Sequence, residues 1–225
     1  MEIILKNVSK HFGPSIVLDD ISMKLLSGHI YGFQGINGSG KTMLMRAISG
    51  LIHPSSGEVF VNGIPLGGEN NFPKNMGLLI ETPSFLGNQS GFSNLKMLAG
   101  LSPNPVSDEE IRNTLVQLGL SAVADKKVRK YSLGMRQRLG IACAIMEKPE
   151  LLILDEPFNS LDEDGIEELR QIISENKVRG ALIIIACHDY ELLSSVSDDI
   201  FKLVAGKLTR HIQKDENGEF HEVTV

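Results

Sequence analysis

The chain is poor in the features that tie a protein to several common classes. Cysteine is scarce, with only Cys143 and Cys187 in 225 residues and no C-x-x-C spacing. That excludes a disulfide framework and points to a reducing compartment, with both thiols expected as small core hydrophobes. Basic excess is lacking too: 22 Lys+Arg stand against 28 Asp+Glu, a formal net charge of −6. Without a Lys/Arg block, no nucleic-acid partner is expected through phosphate contacts. The longest apolar runs, such as ALIIIAC (181–187), fall far short of the roughly 20 residues of a membrane span. The opening MEIILKNVSK has neither the apolar stretch nor the cleavage site of a secretory signal. There is no internal repeat, low-complexity segment, interdomain linker or sustained heptad pattern. A cytoplasmic location is the expectation.

What is present is a globular composition, 42% hydrophobic and 22% charged, at a length suited to one large domain or one domain with a subdomain. Residues 2–8, 16–26, 29–34 and 57–62 read as strands separated by Gly, Pro and Ser clusters. From about 85 to 148 the pattern turns helical. SDEEIRNTLVQLGL (107–120) carries a capping box on Ser107 and Glu110, and LGMRQRLGIACAIME (133–147) stops before Pro149. LLILD (151–155), EDGIEELRQIISENK (163–177), ALIIIAC (181–187) and a helix near 190–195 then alternate strand and helix. Continuous apolar strands alternating with helices predict a mostly parallel sheet covered on both faces. Asn217-Gly218 predicts a C-terminal hairpin over about 207–225.

The strand-like HIYGFQ (29–34) runs into GINGSGKT (35–42), which matches G-x-x-x-x-G-K-[ST], and MLMRAISG (43–50) follows as a helix. In that order the pattern predicts a phosphate-binding loop. Gly35, Gly38 and Gly40 let several N–H groups turn toward one phosphate. The intervening Ile36, Asn37 and Ser39 and the helix-opening Met43 belong to the same cradle, at a helix N-terminus that favours anions. Lys41 would reach the β- and γ-phosphates, and the Thr42 hydroxyl would ligate Mg²⁺. A second site follows about 120 residues on, where the apolar strand LLIL (151–154) delivers Asp155 and Glu156 to the carboxyl edge of the sheet. Asp155 suits Mg²⁺, and Glu156 can act as general base toward an attacking water.

With these motifs the chain resembles the nucleotide-binding domain of an ATP-binding cassette (ABC) transporter over nearly its whole length. YSLGMRQR (131–138) is similar to the family's signature motif, NSLD (159–162) to its D-loop, His188 to its switch histidine, and Phe12 to the aromatic that stacks on adenine. The resemblance implies a P-loop NTPase core with an antiparallel β subdomain and a helical subdomain inserted at about 85–148. It implies ATP and Mg²⁺ as ligands and ATP hydrolysis as the reaction. His188 would hydrogen-bond the γ-phosphate. Ser132 and Gly134 would contact the γ-phosphate bound to a second ATP-binding subunit. The other implied partner is an integral-membrane permease, which would hold the chain at the inner face of the cell membrane.

The signature departs from L-S-G-G-Q in having Met135 where the family has Gln, with Arg136 and Gln137 as candidate substitutes. GLLIETPSF (77–85) places Glu81 where the family's Q-loop has Gln. A carboxylate there accepts hydrogen bonds and can ligate Mg²⁺, but when ionised it does not donate as an amide does. I-E-T-P-S-F together with S-L-G-M-R-Q-R-L-G-I-A is most similar to ATPases of the bacitracin and lantibiotic export and self-protection group. Residues about 82–110, with Pro83, Phe85, Phe92 and Leu95, are expected to leave apolar groups exposed for a partner. The alternative function is an ABC-type ATPase acting on ribosomes or DNA. Against it stand the single cassette and the missing coiled coil.

Overall fold

A computed structural model describes residues 1–67, 71–103 and 105–223. The chain begins with the antiparallel pair β1 (Glu2–Phe12) and β2 (Ser15–Leu26), then enters the main sheet through β3 (Ile30–Gln34). After α1 (Lys41–Ile48) it returns to the first layer through β4 (Ser56–Val61) and β5 (Ile64–Pro65), and β6 (Met76–Leu79) re-enters the main sheet. The helices α2 (Gly91–Ala99), α3 (Asp108–Gln117) and α4 (Leu133–Ile145) follow. They are succeeded by β7 (Leu151–Asp155), α5 (Glu163–Val178), β8 (Leu182–Cys187), α6 (Tyr190–Val196) and β9 (Asp199–Val204). The last strands are β10 (Lys207–Lys214) and β11 (Phe220–Val223).

Two sheets result. One is four-stranded and antiparallel, ordered β2-β1-β4-β5; the other is seven-stranded, ordered β11-β10-β9-β3-β8-β7-β6. In the larger sheet β9, β3, β8, β7 and β6 run parallel, and β10 and β11 close one end antiparallel. Every residue of β7 and β8 is buried, as central strands with helices or a second sheet on both faces require. Successive side chains alternate between the faces. Leu152, Leu154, Ile183 and Ile185 therefore pack with the helical layer, whereas Leu151, Ile153, Leu182 and Ile184 pack with α1 and the antiparallel sheet.

Most elements lie where the sequence patterns put them, and two differences have clear causes. Helix α1 opens at Lys41 rather than at 43, because the glycine loop leads straight into the first turn. The C-terminal turn is wider than a two-residue Asn-Gly turn. It spans 215–219, with Asp215 Oδ1 accepting from Asn217 N–H and Glu219 N–H and with Gly218 at φ 84°. Residues 224 and 225 of the expected hairpin lie outside the described residues. Of the apolar residues expected to face a partner, Leu95 is fully buried and Phe85 and Phe92 pack against the core. Leu86, Met97, Leu98 and Leu101 are the exposed ones.

Candidate active site

Parallel strands place their carboxyl ends along one edge, which is where open α/β sheets bind ligands. Here β3 ends in the glycine loop, its neighbour β8 in Cys187-His188, and the next strand β7 in Asp155-Glu156. Asp155 is in register with Ala186, so Glu156 comes to lie beside the Cys187-His188 turn. The Glu156 N–H donates to the Ala186 carbonyl at 2.9 Å. Glu156 itself sits at φ 48°, a left-handed conformation that a non-glycine residue keeps only where its surroundings enforce it. Gln137 supplies part of that enforcement: its Nε2 donates to the carbonyls of Glu156 (3.3 Å) and Pro157 (3.2 Å).

The glycine loop lines a cavity of about 240 Å³ with Ile36, Asn37, Gly38, Ser39, Gly40, Lys41, Thr42 and Met43, together with Val17, Asp155 and Glu156. Gly40 stands at φ 110° and Gly38 at φ 80°, positions that favour glycine. Gly35 is needed for a different reason, close approach, since a Cβ there would lie 2.4 Å from Ser39 Oγ and 2.7 Å from the Leu203 carbonyl. Helix α1 opens without a side-chain cap, leaving its leading amides to an anion. Lys41, almost fully buried, donates from Nζ to the Gly35 carbonyl at 2.6 Å and lies 3.5 Å from Glu156 Oε1.

Thr42 Oγ1 donates to Asp155 Oδ2 at 2.6 Å. The other oxygen, Asp155 Oδ1, is buried with no hydrogen-bond partner among the described residues, as is Glu156 Oε1. Burial pushes the Asp155 carboxyl above its ordinary value, with the Thr42 hydrogen bond opposing and the Glu156 charge adding to the rise. A hydroxyl and a carboxylate with a spare buried oxygen form an all-oxygen donor set, the chemistry Mg²⁺ selects. His188 Nδ1 lies 2.8 Å from Glu156 Oε2.

The remaining sequence-predicted residues lie apart from this cavity. Phe12 ends β1 opposite Ser15, with Lys10 Nζ 5.1 Å from its ring centre, and it does not line the phosphate cavity; Val17 does. Ser132 caps α4, its hydroxyl accepting from Met135 N–H at 3.1 Å. Ser132 and Gly134 line a separate open cavity of about 530 Å³ with Ser160 and Asp162, sharing no residue with the phosphate cavity. Glu81, 63% exposed and at φ 62°, is paired with Arg46 of α1 at 2.6 Å and lies outside the lining of the phosphate cavity. Arg136 and Gln137, candidates to replace the signature Gln, bond inward, to the Tyr131 carbonyl and to the Glu156 turn. Cys187, read from sequence as a core residue, is buried but sits against the Glu156 carboxylate. Its place next to His188 at the end of a strand was the available signal.

Residues 18–159 match the ABC transporter family model. Among curated proteins, the chain is 44% identical over 202 residues to an uncharacterized ABC transporter ATP-binding protein of Bacillus subtilis, YybJ, covering 90% of this chain and 92% of that one. It is 37% identical to the bacitracin transport ATP-binding protein BcrA of Enterococcus faecalis, covering 96% of this chain and 71% of that one. To the lantibiotic transport ATP-binding protein SrtF of Streptococcus pyogenes the identity is 33%, covering 97% and 94%. Of solved structures, the ATP-binding subunit of an ABC transporter superposes with a TM-score of 0.84 at 26% identity, covering 96% of this chain and 91% of that one. An ATP-binding cassette solved as a dimer in a post-hydrolysis state, bound to ADP and Pi, has the same fold, with a TM-score of 0.83 at 22% identity, covering 94% and 98%. The chain belongs to the ABC transporter family and is one of its ATPases.

Proposed function

We propose that this ABC ATPase powers a separate integral-membrane permease that exports a peptide antibiotic or a similar substrate. The observation that carries the catalytic part is the convergence of the glycine loop, Asp155 and Glu156 on one cavity. The transport part is supported by relatives named for bacitracin and lantibiotic transport. In keeping with a separate permease, no helix among the described residues is long and apolar enough to cross a membrane. We read the chain as one nucleotide-binding domain at the inner face of the membrane, with 85–148 as its helical subdomain and 207–225 as a terminal hairpin. In this reading the exposed Leu86, Met97, Leu98 and Leu101 meet the permease.

Residues 35–43 bind the phosphates of ATP through loop and helix amides, and Lys41 exchanges its bond to the Gly35 carbonyl for a phosphate oxygen. Thr42 and Asp155 would hold Mg²⁺, which when bound would neutralise charge on the phosphate oxygens. Glu156 accepts the proton of the attacking water, and His188, hydrogen-bonded to it, fixes the orientation of that carboxylate before engaging the γ-phosphate. Phe12 stacks on the adenine. Glu81 would reach the nucleotide or its Mg²⁺ only by leaving Arg46. Ser132 and Gly134 complete the site of a second ATP-binding subunit, so ATP joins two copies.

The test is Glu156→Gln, which keeps shape and removes the base. ATP binding should persist while turnover falls by about 10²–10⁴, and light scattering with Mg-ATP should show a doubled mass that Ser132→Arg abolishes. Turnover at the wild-type rate would refute the assignment of Glu156. A dimer indifferent to both ATP and Ser132→Arg would refute the composite site.

A further inference from the structure

The end of β8 sets beside Glu156 and His188 a thiol that ATP hydrolysis does not need. Cys187 Sγ, a ring nitrogen of His188 and a carboxylate oxygen of Glu156 all lie within 4.8 Å of one another. Two of the three edges are already close contacts: His188 Nδ1 is 2.8 Å from Glu156 Oε2, and the Cys187 thiol rests against the same carboxylate. Glu156 Oε1 is buried and makes no hydrogen bond among the described residues, with the Lys41 ammonium 3.5 Å away. Access is from one side, since Cys187 is 1% exposed whereas the His188 side chain is 58% exposed.

We propose that Cys187, His188 and Glu156 form an inhibitory site for a thiophilic divalent cation, Zn²⁺ being the fitting ion. One sulfur, one imidazole nitrogen and one carboxylate oxygen are the ligand types of tetrahedral zinc, whereas Mg²⁺ takes oxygen alone in an octahedral shell. Zinc bonds of about 2.0–2.3 Å place tetrahedral ligands roughly 3.5 Å apart. The 2.8 Å His188–Glu156 edge must therefore lengthen by somewhat under 1 Å and the widest edge, at most 4.8 Å, shorten by about 1 Å, changes within reach of a rotation of the exposed His188 ring. Three protein ligands leave the fourth position to water. Binding releases the thiol proton to solvent and fixes the Glu156 carboxylate on the metal, so that it no longer accepts a proton from the attacking water. The inhibition, though not the binding, rests on the reading of Glu156 as base.

The experiment uses the full chain, reduced and freed of metal with a chelator. Co²⁺ serves as the spectroscopic probe, and Zn²⁺ affinity is read by competition with a chromophoric chelator. The expected results are one ion per chain and a near-ultraviolet thiolate-to-Co²⁺ charge-transfer band. That band survives in Cys143→Ser, where Cys187 is the sole thiol, and vanishes in Cys187→Ser. Zn²⁺ should bind the latter more weakly, by at least the roughly 10–100-fold that loss of an outer-shell partner costs. The zinc concentration that halves ATPase activity, taken relative to each variant's own zinc-free rate, should rise in parallel. Absence of the band in the wild type and in Cys143→Ser overturns the site, as does its persistence in Cys187→Ser. A band assigned to Cys187 without inhibition keeps the metal site and overturns its inhibitory role, while Glu156 as base is judged separately by the turnover of Glu156→Gln. If Cys187→Ser does not fold, the spectrum of Cys143→Ser still decides whether the site exists.

Discussion

Arg138 is the side chain whose removal tests the packing behind the site most directly. Its guanidinium reaches out from α4, donating from Nη1 to the Leu118 carbonyl at 3.1 Å and to Glu168 of α5. From Nη2 it donates to Asp162 at 2.6 Å. Asp162 in turn caps α5 by accepting the Gly165 N–H at 3.1 Å. The fork lies in a slot kept open by glycines, since a Cβ at Gly119 would be 2.7 Å from Nη1 and one at Gly165 would be 2.6 Å from Nη2. The Arg138 side chain is 14% exposed and Glu168 is 34% exposed. Arg138→Ala strips a carbonyl and a half-buried carboxylate of a charged donor. At about 1.5–3 kcal/mol for each such bond, discounted for the exposure of Glu168, the loss comes to about 2–3 kcal/mol. Nothing is assigned to the exposed Asp162. For a chain of this size that lowers Tm by roughly 4–12 °C. Urea unfolding should show a lower midpoint at unchanged slope. Arg138→Lys should recover less than half of the loss, because a point charge cannot serve both directions of the fork. A stability within about 0.5 kcal/mol of wild type in Arg138→Ala, the range of an ordinary surface change, would refute this account.

Two further outcomes follow from contacts elsewhere. In Gly77→Ala the new methyl would lie 1.9 Å from the Ala144 carbonyl and 2.8 Å from Pro149 Cγ. Strand β6 and helix α4 must separate, at a cost of about 1–3 kcal/mol or more, and a melting temperature equal to wild type would contradict the packing. Glu110 is held at a pKa of about 2, first by the Ser107 backbone N–H and then by Lys148. A carboxyl depressed on folding stabilises above its unfolded pKa of about 4.3, and that contribution disappears as pH falls toward about 2. Glu110→Gln should flatten this part of the acid-unfolding curve. An acid limb identical to wild type would show that the ionised carboxylate contributes nothing, since Gln keeps the capping box.

The elements that position the site were readable because their signals are local. The glycine loop, the apolar run ending at Asp155-Glu156 and the capping box of α3 each lie within about ten contiguous residues, and β3, β7 and α3 appear there. What escaped the reading depends on neighbours distant in sequence. β6 is only four residues long, too short for a period, and it is a strand because β7 offers it a partner. β9 begins with Asp199, whose charge argues against a buried strand; His211 accommodates it from β10 at 2.7 Å. Leu95 looks like a surface residue in GFSNLKMLAG until α2 packs against α3 and α4. The Arg46–Glu81 pair joins residues 35 positions apart, which no local pattern announces. Cys187 illustrates the same limit at the site, since a buried thiol at the end of β8 gains chemical meaning only when Glu156 arrives from the neighbouring strand.

Unsatisfied groups at the site are therefore held by fully buried strands. Glu156 carries a strained backbone, and Asp155 Oδ1, Glu156 Oε1 and Ser39 Oγ are buried without hydrogen bonds among the described residues. Each such group costs about 1–3 kcal/mol. Their immediate supports are β7 and β8, every residue of which is buried, and whose ladder fixes Asp155 against Ala186. Relaxing Glu156 would mean breaking the 2.9 Å bond from its N–H to Ala186 and the two bonds from Gln137. A ligand that supplies partners to those oxygens and phosphates to Lys41 recovers free energy already spent in folding, and it meets a site that needs little reorganisation. That is why the polar groups at this edge, which line one cavity with the glycine loop, are the ones to which binding and chemistry are assigned.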